Sequence, residues 1–499
     1  MAYIQSYKDQ TWLLPPNIED LIPDDHICFL VESLVDSLDY SAFDIQYSGA
    51  GHPAYHPRIL LKLLIMGVLD RVRSSRRLAR NARENVVYLY LSEKIAPDFR
   101  TISDFRKNNP DLVKEVFKHT VKFAKEENLL DLSHLSTDGS KVKANASNRR
   151  VLSEGELKVL HRFVDDELEE WAKQDIIEDK RFGELRGIDQ LPKQSKKAVQ
   201  KAAQYYLKKT KETGTDFKKG LKETLQKAEQ EIKAEGLKQV STTDSESRFM
   251  KCKGGRIELS YNSQITTDKN GFILANDVCQ ESTDYGQLRP QILQTKANIE
   301  GLSDNVVWSF DSGYFEGENI KFLSDEKIDG YIPDNNTKKA KNPYDKKNFV
   351  YDTERDEYTC PSKHRMKLIG ESPDRQKKKI VRLYKGEGCS TCQSQTECTK
   401  RKNGMRYLKM FPYERERNAM TAKMSTASAK EIYKLRQQIV EPVFGDMKQN
   451  KGLRGFITRG IKAVKTEFNI ICAAMNLKRI WINLQRKNGK RRNVLYQPA

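Results

Sequence analysis

The sequence predicts an α/β protein in which a mixed sheet with helices on its faces follows an all-helical region. Strand-like alternation begins near Leu129 and returns at RIELSYNSQITTDKNGFILANDVC, where Asp268–Gly271 has the composition of a hairpin turn. A helix, the apolar strand NVVWSF, a second helix and the strand GYIPDN come next. Strands that alternate with helices in this order indicate one sheet covered by helices.

Composition narrows the class of protein. The chain has 499 residues and a formal net charge of +19, which favours a polyanionic partner, nucleic acid before a membrane surface. No apolar run reaches the roughly 18 residues that span a bilayer, so no membrane partner is expected. The N-terminus has no signal-peptide pattern, and eight unevenly spaced cysteines do not form a secreted disulfide framework. We therefore expect a cytoplasmic, nucleoid-associated protein.

The first 128 residues read as short helices joined by tight turns. The helix RILLKLLIMGVLD precedes RSSRRLARNARENVVYLYL, which Ser74 or Ser75 would cap. Five arginines cluster near the start of this second helix: Arg71, Arg73, Arg76, Arg77 and Arg80. Such a cluster among short helices favours a helix-turn-helix-like DNA-binding domain. The alternative is a solvated arginine face on an interaction domain.

Two insertions interrupt the predicted sheet. Residues 150–245 are lysine-rich and helical, and they would pack on DNA or a second subunit, or form a solvated helical hairpin. Residues 337–415 carry four cysteines that include a C-x2-C pair: Cys360, Cys389, Cys392 and Cys398. Four thiolates suit a structural zinc ion, with His364 as a substitute ligand. The alternative is four reduced, unliganded cysteines.

The stretch YKLRQQIVEPVFGDMKQNKGLRG, residues 433–455, predicts one amphipathic helix. Its apolar anchors are Val440, Val443, Phe444 and Met447. Glu441 and Lys448 are seven residues apart and share a face with Tyr433 and Gln437, whereas Pro442 predicts a kink at Glu441. A carboxylate beside basic residues, among them Arg436, Lys451 and Arg454, suits a site for a metal and a phosphate. The alternative is an exposed ion pair on a solvated helix.

Three acids could converge at one edge of the predicted sheet. Asp138 is placed at the end of the first strand, Asp311 at the end of a middle strand, and Glu441 on the late helix. Three carboxylates would bind two magnesium ions, because magnesium is a hard cation that prefers oxygen ligands. Each acid also has a structural interpretation, as a turn residue for Asp138 and Asp311 and as half of an ion pair for Glu441. Competing acids are Asp268, Asp284 and Glu467.

Several blocks together resemble an insertion-sequence transposase of the DDE class. The N-terminal HPRILLKLLIMGVLDRVRSSRRLARNARENVVYLYL with PDFRTISDFRK resembles the family's DNA-binding region. STDGSKVKANAS resembles its first catalytic strand, TDSESRFMK with YNSQITTD its next block, and FDSGYF its second acidic motif. YKLRQQIVEPVFGDMK resembles the Tyr–Arg–Glu–Lys signature of a related branch. The resemblance implies an RNase H-like core whose metal-binding acids are Asp138, Asp311 and Glu441.

The same resemblance assigns further roles. It carries over Tyr433, Arg436 and Lys448 as DNA-contacting residues, with Lys448 on a phosphate. Four residues separate Arg436 from Glu441, where the best-known form of the signature has three, which turns Arg436 by about 100° on a helix. A kink at Pro442 would restore the alignment, or Gln437 would take the place of Arg436.

The resemblance implies a transposase that binds the terminal inverted repeats of its element, hydrolyses the ends and joins the 3′-hydroxyl to target DNA. Its cofactor would be Mg²⁺, with Mn²⁺ as a substitute, and its partners double-stranded DNA and a second copy of the chain, as a homodimer or a higher assembly. The alternatives are a domesticated DNA-binding protein and an RNase H-like nuclease that does not join. The expected division is a helical domain (1–128), a catalytic core (129–149, 246–336 and 416–485), the insertions (150–245 and 337–415) and a basic, disordered tail (486–499).

Overall fold

The computed structural model describes residues 17–46, 54–148, 150–171, 191–213, 215–252, 254–334, 342–374 and 379–488. The helices are α1 (Cys28–Asp36), α2 (Ser41–Gln46), α3 (Pro57–Leu69), α4 (Ser75–Glu84), α5 (Val86–Leu91), α6 (Phe99–Asn108), α7 (Pro110–Glu126), α8 (Glu154–Trp171), α9 (Lys193–Thr213), α10 (Thr215–Glu235), α11 (Leu288–Asn298), α12 (Gly317–Asp325), α13 (Gln395–Cys398), α14 (Glu414–Ser425), α15 (Ala427–Lys434), α16 (Arg436–Ile439), α17 (Glu441–Gln449) and α18 (Ile461–Asn488). The strands are β1 (His134–Lys143), β2 (Val151–Leu152), β3 (Val240–Ser241), β4 (Arg248–Lys251), β5 (Ile257–Thr267), β6 (Ile273–Cys279), β7 (Val307–Phe310), β8 (Asp329–Tyr331), β9 (Val350–Asp352), β10 (Glu357–Thr359), β11 (Arg365–Asp374), β12 (Lys379–Gly386) and β13 (Tyr407–Met410).

A six-stranded mixed sheet forms the centre of the described chain. Its order is β4-β5-β1-β7-β8, with β6 pairing the same edge of β5 as β4. Strands β5 and β6 form the predicted antiparallel hairpin, whereas β1, β7 and β8 are parallel neighbours. This mixed α/β arrangement is consistent with an RNase H-like core.

The N-terminal helices and the sheet share one hydrophobic core. Helix α18 packs against α3, α6 and α7 on one side and against β6 on the other. Its Phe468, Cys472 and Leu477 are fully buried in a single cluster that also contains residues of α3 and of β5. The helical region is therefore built onto α18 rather than around a core of its own, because apolar faces from both regions need the same helix to cover them.

Two of the predicted N-terminal helices are interrupted. Helix α4 ends at Glu84, and the side chain of Asn85 caps α5 by accepting from the amide of Val87 at 3.0 Å. Helix α6 ends at Asn108, and α7 begins at Pro110, with Asn109 between them. The prediction of one helix over RSSRRLARNARENVVYLYL was wrong, because the capping Asn85 favours a helix boundary. At Asn109 the following proline favours the boundary between α6 and α7.

The two insertions form compact units of different kinds. Helices α8, α9 and α10 pack on one another around buried Leu160, Ala203 and Leu225, while β2 and β3 pair where the insertion leaves and rejoins the sheet region. This is a three-helix cluster with its own core rather than a solvated hairpin. The second insertion is a five-stranded antiparallel sheet of order β13-β12-β11-β10-β9, with Tyr384 at its centre.

None of the helices in the described parts of the chain is long and apolar enough to span a membrane. The N-terminal stretch 1–16, on which the signal-peptide prediction rests, and residues 489–499 of the basic tail lie outside the described residues.

Candidate active site

Strand pairing places two of the predicted acids side by side. Thr137 of β1 is the register partner of Phe310 of β7, and Asp138 and Asp311 are the next residues on these parallel strands. Asp138 was predicted at the end of its strand, and this placement was wrong. Strand β1 continues to Lys143 by pairing with β5. What ends at Thr137 is the pairing with β7. The two carboxylates therefore start from adjacent backbone positions where the two strands separate.

Asp138 is mostly buried, with 18% of its side chain exposed, and it lies beside further charges. Burial raises the pKa of Asp138 to about 6; the cationic Arg436 opposes this rise, and the negative charges of Asp311 and Asp284 add to it. The Arg436 guanidinium lies 2.9 Å from a carboxylate oxygen of Asp138. A buried carboxylate among other acids needs a nearby cation to remain ionised at neutral pH. In the structure Arg436 supplies that cation.

The predicted helix over residues 433–455 is broken into three pieces. Helix α15 ends at Lys434, α16 at Ile439, and Glu441 opens α17 with Pro442 in its first turn. The predicted kink at Pro442 is confirmed, and the single continuous helix was wrong. Proline is tolerated in the first turn of a helix but not in its interior, so the chain starts a new helix there.

This break brings Arg436 and Glu441 to the same side. An Arg436 guanidinium nitrogen is 3.9 Å from a carboxylate oxygen of Glu441, so one buried side chain approaches both Asp138 and Glu441. Gln437 is exposed. Arg436 therefore has the position at the site, and the alternative in which Gln437 replaces it was wrong. Glu441 itself is open to solvent, with 55% of its side chain exposed.

Tyr433 and Lys448 complete the group contributed by these helices. Burial raises the pKa of Tyr433 to about 12; Arg436 opposes the rise, and Asp311, Asp138 and Glu441 add to it. Tyr433 thus lies within the electrostatic reach of all three acids. The Lys448 ammonium donates to the hydroxyl of Ser140 at 2.5 Å, two residues beyond Asp138 on β1. The buried anchors Val443 and Met447 hold α17 against the core between these contacts.

A second polar cluster adjoins the acids and was not predicted as a group. One carboxylate oxygen of Asp284 accepts from Lys141 at 3.1 Å, from Asn262 at 2.6 Å and from Gln264 at 2.7 Å. The Gln264 side-chain oxygen accepts from the hydroxyl of the fully buried Tyr314. Asp284 therefore lies at the site with one of its two carboxylate oxygens held by three donors.

The sequence contains a signal for this cluster. Ser260, Asn262, Gln264 and Thr266 alternate along β5, and all four are fully buried. Alternate residues of a strand point to the same face, so this pattern puts a row of polar side chains on one face of a central strand. Buried polar groups require partners, and the row therefore indicates a polar site on that face.

The other two competing acids have structural roles. Asp268 closes the β5–β6 hairpin by accepting from the amides of Phe272 at 2.7 Å and Asp131 at 2.8 Å, and burial raises its pKa to about 7. Glu467 of α18 is 3% exposed and accepts from the amide of Thr458 at 2.9 Å and its hydroxyl at 2.7 Å. These contacts engage both carboxylates away from Asp138.

Two family models match the chain. A model described as transposase domain (DUF772) matches residues 16–108, and a model described as transposase DDE domain matches residues 359–481. The comparison with curated proteins gave no match. The two matches support an insertion-sequence DDE transposase. The DDE match includes Arg436, Glu441 and Lys448, whereas Asp138 and Asp311 precede it.

The predicted arginine cluster divides into two groups. Arg71, Arg76, Arg77 and Arg80 are exposed. Arg71 has a φ of 61° in the turn before α4, and the Arg76 guanidinium lies 5.0 Å from the centroid of the Phe99 ring. Arg73 is different: it pairs with Glu467, and its side chain is only 11% exposed. Its guanidinium is engaged inside the protein, so its DNA-binding role stays a prediction.

Lys451 also departs from the expected basic surface beside the late helix. It is 4% exposed, and its ammonium donates to the carbonyl of Leu69 at 3.1 Å. Burial lowers the pKa of Lys451 to about 8, and the positive charge of Lys478 acts in the same direction. Arg454, by contrast, is exposed.

The four cysteines of the second insertion come together around one cavity. Cys360, Cys389, Cys392 and Cys398 line it with His364, and all four are free. The amide of His364 donates to the Cys360 sulfur at 3.2 Å. Among the described residues, however, no three His, Cys, Asp or Glu side chains are arranged so that they could hold one metal ion. Structural zinc here stays a prediction from the cysteine spacing.

Proposed function

We propose that this chain is a DNA transposase that binds the terminal inverted repeats of its own element, cleaves phosphodiester bonds there and joins the 3′-hydroxyl to target DNA. The supporting observation is the register of β1 and β7, which sets Asp138 beside Asp311, together with the Arg436 side chain that approaches Asp138 and Glu441. Three acids from distant parts of the sequence thus belong to one site.

The donor chemistry of this site fits Mg²⁺, or Mn²⁺ as a substitute. Carboxylate oxygens are the ligands that hard divalent cations prefer. Asp138 is buried near the charges of Asp311 and Asp284, and Arg436 alone does not offset the rise in its pKa. Two bound magnesium ions would activate water or a 3′-hydroxyl and stabilise the leaving oxygen. Asp138, Asp311 and Glu441 would hold the two ions between them, because no three acids among the described residues are arranged to hold a single ion.

The cationic side chains around the acids would hold the DNA backbone. Lys448 reaches Ser140 on β1, so its ammonium stands beside the strand that carries Asp138. Lys448 would contact a phosphate at the transposon end, and Arg436 would exchange carboxylate contacts for phosphate contacts. Tyr433 would pack beside the same phosphates. Arginine suits this role because its planar guanidinium matches both carboxylate and phosphate.

End recognition would use the exposed face of α4 and the turn before it. Arg71, Arg76, Arg77 and Arg80 are exposed there, and the net charge of +19 supplies the sequence-independent attraction for double-stranded DNA. Pairing of two transposon ends implies a homodimer or a higher assembly. We propose that the protein acts in the cytoplasm on bacterial-type, nucleoid DNA.

The test is the Asp311→Asn variant on DNA that carries the gene's own flanking ends. The amide keeps the side-chain size but removes the negative charge, so nicking with Mg²⁺ should fall more than about 100-fold. A loss of about 100-fold is the upper value for replacing a residue that contacts a metal ligand, and Asp311 would itself be a ligand. Binding to the ends, measured by gel shift, should be unchanged. Asp304→Asn, an exposed residue in the turn before β7, is the matched control and should cleave normally.

Loss of binding together with cleavage in Asp311→Asn would show that Asp311 is structural. Cleavage at the wild-type rate would remove Asp311 from the metal site.

A further inference from the structure

Arg73 connects the helical region to the segment that follows α17. Its guanidinium donates to the carbonyl of Gly452 at 3.0 Å and to the carbonyl of Gly455 at 2.9 Å, and it pairs with Glu467 of α18. The residues involved are 69–75, 451–458 and Glu467, which we call the junction. One side chain in the turn before α4 thereby fixes two backbone positions of the 451–458 segment.

Glu467 holds the far end of the same segment. Its carboxylate accepts from the amide of Ile457 at 3.1 Å and from the amide of Thr458 at 2.9 Å. Arg73 and Glu467 therefore act as one pair that binds the segment through both its carbonyl and its amide groups. Charge-assisted hydrogen bonds of this kind are shorter and stronger than neutral ones.

Two more buried cations brace the junction, Arg106 from the helical region and Lys451 from the 451–458 segment. Arg106 donates to the carbonyl of Arg73 at 2.9 Å and to the Ser75 hydroxyl at 2.9 Å. Lys451 donates to the carbonyl of Leu69 at 3.1 Å. The turn between α3 and α4 is therefore fixed on both sides, and it cannot shift without breaking contacts to the 451–458 segment.

The junction leads directly to the candidate active site. Helix α17 ends at Gln449, immediately before the segment, and Lys448 contacts Ser140 of β1. At the other end of the segment, the amide of Phe456 donates to the carbonyl of Lys143, the last residue of β1. Displacing the segment would therefore move α17 relative to the strand that carries Asp138.

We propose that Arg73 and Glu467 are positioning residues that hold Lys448 and Glu441 in register with Asp138 and couple α4 to the active site. This inference rests on the proposed function, because it assumes that α4 binds transposon ends and that α17 contributes to cleavage. Helix α4 begins two residues after Arg73. The Arg73 side chain would thus connect the helix whose exposed arginines hold the DNA, α4, to the active-site residues that cleave it.

The test separates end binding from cleavage in Arg73→Ala and Arg73→Lys. Binding is measured by fluorescence anisotropy on a labelled end duplex in chelator, and cleavage as the single-turnover nicking rate at saturating protein with Mg²⁺. We expect Arg73→Ala to lose about 100-fold in nicking rate, the effect of roughly an ångström of misplacement, with its dissociation constant unchanged. Arg73→Lys keeps the pair with Glu467 but cannot reach both carbonyls, so it should lose about 10-fold.

Arg248→Ala is the matched control. Arg248 also pairs with a partly buried acid, Glu231 at 2.6 Å, and donates to the carbonyls of Ser245 and Ser247, but it lies on β4 and its acid lies on α10. This variant should lose thermal stability without losing nicking rate. If Arg73→Ala behaves like Arg248→Ala, the pair is only structural and the proposal fails. Weaker end binding at an unchanged nicking rate would instead make Arg73 a DNA contact.

Hydrogen exchange gives a readout that does not depend on catalysis. In Arg73→Ala and Arg73→Lys, amides of residues 450–458 should exchange faster than in wild type, whereas those of β1 should not. If wild type fails to nick its ends, the proposed function fails, and the exchange measurement still decides whether Arg73 holds the segment. Unchanged exchange in both variants would overturn the positioning role. Arg73→Lys keeps the test usable if Arg73→Ala does not fold.

Discussion

The candidate site has a sheet half and a helix half, and the two are held in place by different means. Asp138 and Asp311, the sheet half, stand on adjacent parallel strands whose pairing ends one residue before them. Arg436, Glu441 and Lys448, the helix half, follow the cysteine-rich insertion and lie on two short helices separated at Val440. Backbone pairing fixes the first half, and side-chain contacts over long sequence separations fix the second.

This difference indicates where the site can move. A strand in the middle of a sheet cannot shift without breaking a ladder of hydrogen bonds. Helix α17, by contrast, carries an exposed Glu441 and is tied to its surroundings by Lys448 and by the junction at Arg73 and Glu467. We expect substitutions in the helix half to change cleavage through geometry, and substitutions in the sheet half to change stability as well.

Arg436→Lys should have the largest effect among the variants that separate the two halves. The guanidinium approaches Asp138 at 2.9 Å and Glu441 at 3.9 Å, and a single ammonium cannot span both carboxylates from a buried position. Single-turnover nicking should fall about 100-fold, the upper loss for replacing a residue that contacts a metal ligand. Arg256→Lys, at an exposed residue before β5, is the control. Nicking at the wild-type rate would mean that Arg436 does not join the two halves.

Pro442→Ala should have a smaller effect on cleavage. Without the proline, α16 and α17 can merge, and Arg436 and Glu441, five residues apart, would then point about 140° away from each other. We expect about a 10-fold loss in nicking rate, part of the cost of an ångström of misplacement, with little loss of thermal stability. Pro290→Ala in the first turn of α11 should leave nicking unchanged. If both variants cleave normally, the break at Val440 is not needed for alignment.

The smallest effect concerns the sheet half and its dependence on pH. Burial lowers the pKa of His134 on β1 to about 4, and its ring nitrogen lies 3.0 Å from the Ser309 hydroxyl of β7. Because the folded pKa is below the unfolded value, stability is full above about pH 6.5 and is lost as the pH falls towards 4. Between pH 8 and pH 6 this histidine should remove about 1 kcal/mol from the free energy of unfolding.

The measurement is urea unfolding at both pH values for wild type and His134→Gln. The variant should show a smaller decrease than wild type by about that amount, and the exposed His364→Gln should show the wild-type decrease. Equal decreases for wild type and His134→Gln would show that burial of His134 does not tie stability of the sheet half to pH.

Much of the fold could be predicted from local patterns. The hairpin at Asp268, the strand before Asp311 and the buried anchors Val443 and Met447 are all found. Apolar periodicity carries this information, because it depends only on neighbouring residues. It also explains the error at Asn85, where apolar spacing continues but a capping residue ends the helix.

Long-range pairing could not be predicted in the same way. Nothing near Arg73 in the sequence distinguishes it from Arg76 or Arg77, yet it is the one that meets Glu467, 394 residues later. The polar row on β5 likewise signals a buried polar site, but it does not show that Asn262 and Gln264 donate to Asp284. Tertiary packing decides which side chains become partners, and composition and local spacing do not identify these partners.

The most direct measurement is nicking of DNA with the gene's own flanking ends by wild type and Glu441→Gln, each with Mg²⁺ and with chelator. Glu441 is the acid of the helix half, so this reaction asks whether the two halves form one metal-dependent site. We predict nicks at the ends that require the metal and disappear in the variant. Nicking that persists in Glu441→Gln would contradict the account and move the third acid to Asp284, since Glu467 is engaged by Arg73 and Thr458.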